Sequence, residues 1–346
     1  MACGTRWMCV MPHGGLHEGA HAMITALLRR LGQTVFVLFG ISALVFCVFF
    51  ATPGADPTAR IAGRNASPQT MEKVRKEYGF DRPLPVQYAT MMKKLFITRD
   101  LASYVDRGEL VVPEIARAAP VTVSLVCGAA LIWVVASIAM GTLAAAMKGT
   151  WVDRGLMMLG LIGISMPVFW LGQVANLITQ SRYHDTWLFS WVPGLGYVPF
   201  TESPLGWFKA LVIPWVVLAV MFIGIYSRVL RADLVALAGE DFMRTARAKG
   251  LSPTRVLLRH GLRTSMVTFV SLFGLDFAQL VGGGALLTEV VFGLPGVGRL
   301  TYQALTNLDL PLIMATVMYS AVFVVLANAV VDSVYLLLDP RVRDAR

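Results

Sequence analysis

Charge is scarce in this chain. Asp, Glu, Lys and Arg make up 15% of its 346 residues, against about a quarter in a typical soluble domain. Hydrophobic residues supply 56%, which excludes an ordinary soluble domain and places the chain in the membrane class. Cysteine is sparse too. Cys3, Cys9, Cys47 and Cys127 form no C-x-x-C pair, and two of them lie inside apolar runs. That argues against a disulfide framework or a zinc site. The H-E-x-x-H pattern of a zinc protease is absent. All five histidines, at 13, 17, 21, 184 and 260, lie outside the apolar runs, so a serine protease working within the membrane has no base to pair with its nucleophile. No G-x-x-x-x-G-K-[ST] phosphate loop occurs either.

What is present is a set of long apolar runs. A span needs about 20 predominantly apolar residues, and six stretches qualify: 31–50, 121–146, 155–179, 208–228, 266–291 and 312–337. The net charge of +9 fits cytoplasmic loops and anionic lipid better than nucleic acid in such a chain. Arg29 and Arg30 precede the first run, Lys148 and Arg154 lie between the second and third, and Arg341, Arg343 and Arg346 follow the sixth. The positive-inside bias therefore predicts a multi-pass protein with both termini in the cytoplasm.

Residues 1–22 read as an unstructured extension, because Met23 opens "MITALLRRLGQTV", a more natural start. His13, His17 and His21 recur at helical spacing but have no acidic or cysteine ligand in register. Deleting 1–22 is expected to leave function intact; loss of function in that truncation would overturn this. After the first span (23–50), residues 51–120 are polar and broken by Pro53, Pro57, Pro68, Pro83 and Pro85. They read as an extracytoplasmic segment with short helices such as 69–78, too poor in apolar residues for a core of its own. Residues 121–346 hold the remaining five spans.

Polar groups inside spans need partners, because hydrocarbon offers none. Asp276 and Gln279 fall in the fifth run, with Glu289 near its end and Asn328 and Asp332 in the sixth. Asp276, Gln279 and Glu289 line a hydrated path or clasp neighbouring helices; sequence leaves both readings open. Gly282, Gly283 and Gly284 interrupt the fifth run and predict a hinge or a close helix approach. Pro167 and Pro214 invite kinks. Tyr183, Trp187, Trp191 and Tyr197 in an outer loop either anchor the interface or touch a ligand or partner.

One segment breaks the apolar pattern. Eight basic and three acidic residues fall between Arg228 and Arg263. Asp233, Glu240 and Asp241 stand early in that stretch, where a helix start favours negative charge, and Arg247 and Lys249 stand at the end of the helix. Gly250 can take a left-handed cap, Ser252 can serve as N-cap and Pro253 as the first residue of a second helix over 253–262. Such a unit fixes topology, binds DNA or docks into a partner's groove. Flanking spans pin it to the membrane, which disfavours DNA.

"DFMRTARAKGLSPTRVLLRHGLR" (241–263) closely resembles the cytoplasmic coupling (EAA) loop of ABC-importer permeases of the dipeptide/oligopeptide type. "LLRRL", "GISMPVFWLG", "VVFGLPGVGRL" and "YLLLDPRVR" agree in order along the chain, so the resemblance covers roughly residues 23–343. It implies an all-α integral membrane protein with six transmembrane helices, the type I ABC-importer permease fold, in the bacterial cytoplasmic (inner) membrane. It also implies partners: a second homologous permease, two ATP-binding subunits that hold ATP and Mg, and an extracytoplasmic substrate-binding protein. This chain would hold no cofactor or metal and do no catalysis. The coupling residues would be Glu240, Asp241, Phe242, Met243, Arg244, Thr245, Ala246, Arg247, Ala248, Lys249 and Gly250 within loop 232–263. Phe242, Met243 and Ala246 would make apolar contacts with an ATPase, and Arg244, Arg247 and Lys249 would meet its acidic rim.

The chain departs from the family pattern in places. Phe242 and Met243 replace the usual Tyr and Ile, Gly261 replaces Ala, and Asp276 stands where an uncharged residue is commoner. The role of Asp276 therefore does not carry over. Di- and oligopeptides are the cargo the resemblance implies, with nickel complexes, glutathione, opines or another small solute as the alternatives. An ion-driven carrier using Asp276 and Asp332 is the remote alternative on composition alone.

Overall fold

The computed structural model describes residues 16–51, 57–63, 66–106 and 108–338. These are almost wholly helical, with one isolated antiparallel bridge between Ala102 and Leu110. Helix α1 (Leu16–Ala51) contains the first apolar span, Gly32–Phe49. It begins upstream of Met23, so the helix takes in the end of the stretch expected to be unstructured. His13, Asp332 and the side chains of His17 and His21 lie outside the described residues or side chains. Three short helices follow: α2 (Pro57–Ala62), α3 (Pro68–Tyr78) and α4 (Leu84–Lys93). The Ser67 hydroxyl accepts the Thr70 N–H at 3.2 Å, Pro68 opens α3, and Gly79 closes it in the left-handed region. Those are the local signals that make 69–78 legible.

Helix α5 (Val111–Ala146) takes in residues 111–120, which the sequence reading assigned to the preceding polar segment. Pro120 sits inside it; the apolar helix continuing on both sides outweighs one lost hydrogen bond. The span expected over 155–179 is broken. Helix α6 (Trp151–Ser165) and α7 (Val168–Asn176, continued by a π turn) meet at a bend of 93°. Met166 is extended (φ −93, ψ 123), as a residue before proline is pushed to be, and Pro167 begins a new helix. Pro214, in contrast, lies within an unbroken α8 (Pro204–Leu237).

The charged unit is α9 (Asp241–Ala248) and α10 (Pro253–Val256), and α10 runs through a π turn into α11 (Leu262–Gln279). A second π turn, Leu280–Gly284, is kinked at Gly283 (φ 111) and leads to α12 (Leu286–Phe292). The run over 266–291 is thus interrupted where only glycine is comfortable. Gly282 also gives the expected close approach: a Cβ there would stand 3.2 Å from the Ser320 carbonyl oxygen. Helices α13 (Val297–Asn307) and α14 (Leu310–Leu338) complete the chain. Among the described residues five helices are long and apolar enough to cross a bilayer, or six with the bent pair counted as one span.

Helices α5, α8 and α11 form the main core. Trp133 stacks on Phe222 with ring centroids 4.6 Å apart, and Tyr226 meets Phe269 edge-on at 5.0 Å. A second core joins Phe46 and Phe49 of α1 and Met91 and Leu95 of the polar segment to Leu310 and Met314 of α14. The segment after the first span therefore has no core of its own and borrows one from the spans. Asp309, 1% exposed, fastens it: the carboxylate accepts the Ser103 hydroxyl and, at 3.1 Å, the Tyr104 N–H. Burial pushes that carboxyl above the usual range, and the hydrogen bonds pull the other way.

Candidate functional site: the charged two-helix unit

Helix α9 is strongly two-faced. Met243 (1% exposed) and Ala246 are buried with Val256 of α10 in a small core, and Leu251 packs against it. Glu240, Asp241, Phe242, Arg244, Thr245, Arg247, Ala248, Lys249 and Gly250 are all exposed. Met243 and Ala246 are therefore not available as outward contacts, contrary to the sequence reading. Their period places them on the face that closes onto α10, and Phe242 is left as the apolar group on the outside. Two departures from the family pattern explain each other here. A Cβ on Gly261 would stand 3.2 Å from both the Met243 Cε and a Leu234 methyl, so the long Met243 side chain uses room that alanine at 261 would fill.

The unit is tied to both flanking spans. The Arg247 guanidinium donates to the Ala238 carbonyl at 3.0 Å, which fastens the end of α9 to the end of α8. Asp241 sits in the first turn and Arg247 in the last, each favoured by the helix dipole. The Asp241–Arg244 pair, at 3.7 Å on the surface, adds little. Gly250 has φ +81 and its N–H donates to the Arg247 carbonyl at 2.9 Å. Ser252 occupies the N-cap position with extended backbone but makes no side-chain cap bond, and Pro253 opens α10 as expected.

The three candidate path residues are not together. Asp276 is half-buried and accepts the Tyr226 hydroxyl at 2.6 Å, while Gln279, the next turn on, is exposed. Glu289 has no exposure at all. Its Oε1 accepts the Thr122 hydroxyl at 2.6 Å and its Oε2 accepts the Arg299 N–H at 2.8 Å. Thr122 in turn accepts the Val297 N–H at 2.8 Å. Glu289 therefore does not line a path: it caps α13 from a distance and pins it to α5. Sequence reasoning missed this because one donor is a backbone group of "GVGRL" and the other, the Thr122 hydroxyl, lies far away along the chain.

Two further groups escaped the sequence reading. Arg231 of α8 donates to Asp153 of α6 twice, Nε to Oδ1 at 2.5 Å and Nη2 to Oδ2 at 2.7 Å. The signal was a lone Asp three residues after Thr150, at the start of an apolar run. The outer-loop aromatics divide: Trp187 is 87% exposed, whereas Tyr197 packs against the main core.

Six apolar spans counted with the bent pair, and a punctuated polar unit between the fourth and fifth, define a type I ABC-importer permease fold. The chain belongs to the family of binding-protein-dependent transport system inner membrane components: that family's profile matches residues 137–344, and its N-terminal companion matches residues 23–126. Among its relatives, a protein of Brucella melitensis, named by inference a peptide transport system permease protein, is 38% identical over 93% of this chain and 99% of its own length. The di/tripeptide transport system permease protein DppB of Pseudomonas aeruginosa is 30% identical over 94% and 100%. The glutathione transport system permease protein GsiC of Escherichia coli is 34% identical over 93% and 99%.

Proposed function

We propose that this chain is the permease of an ATP-driven importer of di- and oligopeptides in the bacterial cytoplasmic membrane, with both termini and α9 on the cytoplasmic side. Its partners are a second permease, two ATPase subunits that bind ATP and Mg, and an extracytoplasmic binding protein. The observation that carries the reading is α9 itself. It is fixed by its buried face and by Arg247 to the two spans beside it, and its exposed surface carries Phe242, Arg244 and Lys249. An apolar anchor with a basic rim is suited to a groove with an acidic edge. ATPase closure would push α9 and rock the attached spans. The names of the relatives support peptide as cargo; GsiC supports glutathione, itself a small peptide, as a second reading.

The test is uptake by the reconstituted complex. ATP-dependent, vanadate-sensitive entry of peptides from a panel bound by the cognate receptor is expected. Uptake that follows an ion gradient without ATP would sink the reading in favour of an ion-driven carrier.

Asp276 and Gln279 are proposed to border the path. A carboxylate within a span is costly unless it faces water or a partner, and the one partner the described residues show for it is the neutral Tyr226 hydroxyl. If Asp276 contacts cargo or its water, Asp276→Asn should lower the uptake rate about tenfold while Tyr226→Phe, which removes one hydrogen bond of about 1 kcal/mol, loses much less. Equal losses in the two variants would make the pair a structural clasp.

A further inference from the structure

We infer that the Asp153–Arg231 ion pair is the joint that carries movement of α9 from α8 into α6 and α7. This rests on the reading that ATPase movement enters the chain through α9.

Asp153 lies in the first turn of α6 and is 2% exposed. It is held on three sides. The Arg231 fork takes both carboxylate oxygens at 2.5 and 2.7 Å, and the Gly149 N–H donates to Oδ2 at 2.9 Å. The Asp153 N–H donates to the Thr150 hydroxyl at 3.4 Å. A bidentate fork fixes the angle between the two groups as well as their distance. It therefore resists rotation and sliding, where a single contact would yield. Arg231 sits on the same end of α8 that Arg247 ties to α9, and Leu234 of that end packs against Gly261. Beyond the pair, α6 and α8 run in close contact: a Cβ on Gly224 would stand 2.3 Å from the Gly160 carbonyl oxygen.

The onward connection is continuous. Helix α6 turns through the 93° bend into α7. There the Asn176 amide donates to the Val291 carbonyl of α12 at 2.9 Å, two residues from Glu289 and its hold on α13 and α5. A displacement of α8 is thus handed at one end of the bilayer to α6 and arrives at the other on α12. Without the fork, α8 can shift relative to α6 by changing apolar contacts alone.

The experiment uses the complete importer in nanodiscs with its binding protein loaded with a receptor-bound peptide. Native cysteines are replaced, and spin labels are placed at Thr254→Cys on α10, which packs on α9 and reports its position, and at Phe169→Cys on α7, both exposed positions, each paired with a label on the second permease. Asp153→Asn and Arg231→Ala are expected to keep the ATP-dependent distance change at α9, lose it at α7, and lower peptide uptake per ATP about tenfold, the middle of the range for contacting residues. The exchange D153R/R231D is expected to restore at least part of both, and Arg231→Lys, which keeps charge without the fork, to fall between. If the single variants do not assemble, the exchange and the lysine variant decide alone. An α7 distance change and uptake per ATP that match wild type in Asp153→Asn and Arg231→Ala or, where those do not assemble, in Arg231→Lys would overturn the joint and leave the coupling reading standing. No distance change at α9 in the wild-type complex would overturn the coupling reading and this inference together.

Discussion

Replacing Glu289 with alanine is expected to lower the thermal midpoint of the detergent-solubilised protein by several degrees, read from tryptophan fluorescence. The substitution strands the fully buried Thr122 hydroxyl and removes the acceptor of the part-buried Arg299 N–H, and the Val297 N–H is left on a hydroxyl that has lost its own acceptor. A buried donor without an acceptor costs about 1–3 kcal/mol, and the emptied volume adds a cavity term. Roughly 3–5 kcal/mol is therefore at stake. Glu289→Gln should cost less, because its carbonyl keeps the Arg299 N–H and its amide meets the Thr122 oxygen in the same volume, leaving only the Thr122 hydroxyl proton without an acceptor. An unchanged midpoint in Glu289→Ala would show that α13 holds its place without this cap. A path role makes the opposite forecast, altered transport with ordinary stability, so the two measurements separate the readings.

Replacing Gly250 with valine is expected to abolish peptide-stimulated ATP hydrolysis by the complex while the chain still reaches the membrane. No atom lies within 4 Å of a Cβ at this position, so the effect is not a clash with a neighbour. The obstacle is φ +81, which costs a β-branched residue on the order of 1–3 kcal/mol. Relief requires the turn to rotate, and that swings α9 out of line with α10 and uncovers Met243. Phe242→Glu with Arg244→Glu tests the outward face directly, and should remove stimulation without disturbing the small core. Ala246 is unsuited to that purpose, since a glutamate there would break the buried face and unfold the unit. Normal stimulation in both Gly250→Val and the Phe242/Arg244 variant would mean that α9 is not where the ATPase engages.

The fold class, the spans and the placing of the polar unit were legible because each is a local or periodic property. Apolar runs of span length, an N-cap followed by proline at 67–68, and a glycine ahead of Ser252–Pro253 carry their own physical reason. Where reading by run length failed, the failure has a cause as well. A proline at 167 and one at 214 look alike in sequence, yet one marks a 93° bend and the other an unbroken helix. The difference lies in which neighbours hold the chain on either side. Met243 and Ala246 look like a docking face until α10 is present to cover them.

The sequence by itself determined that this protein lives in a bilayer, that its hydrophobic stretches form helices, and that a punctuated polar hairpin interrupts them. Hydropathy and turn chemistry act over a few neighbouring residues. Which charged groups meet was decided only by the tertiary structure. Asp153 finds Arg231, Glu289 finds Thr122, and Asp309 finds Ser103, each across a large separation in the chain. Burial removes water as the competing partner, and only a packed arrangement of helices can bring such groups within hydrogen-bonding distance.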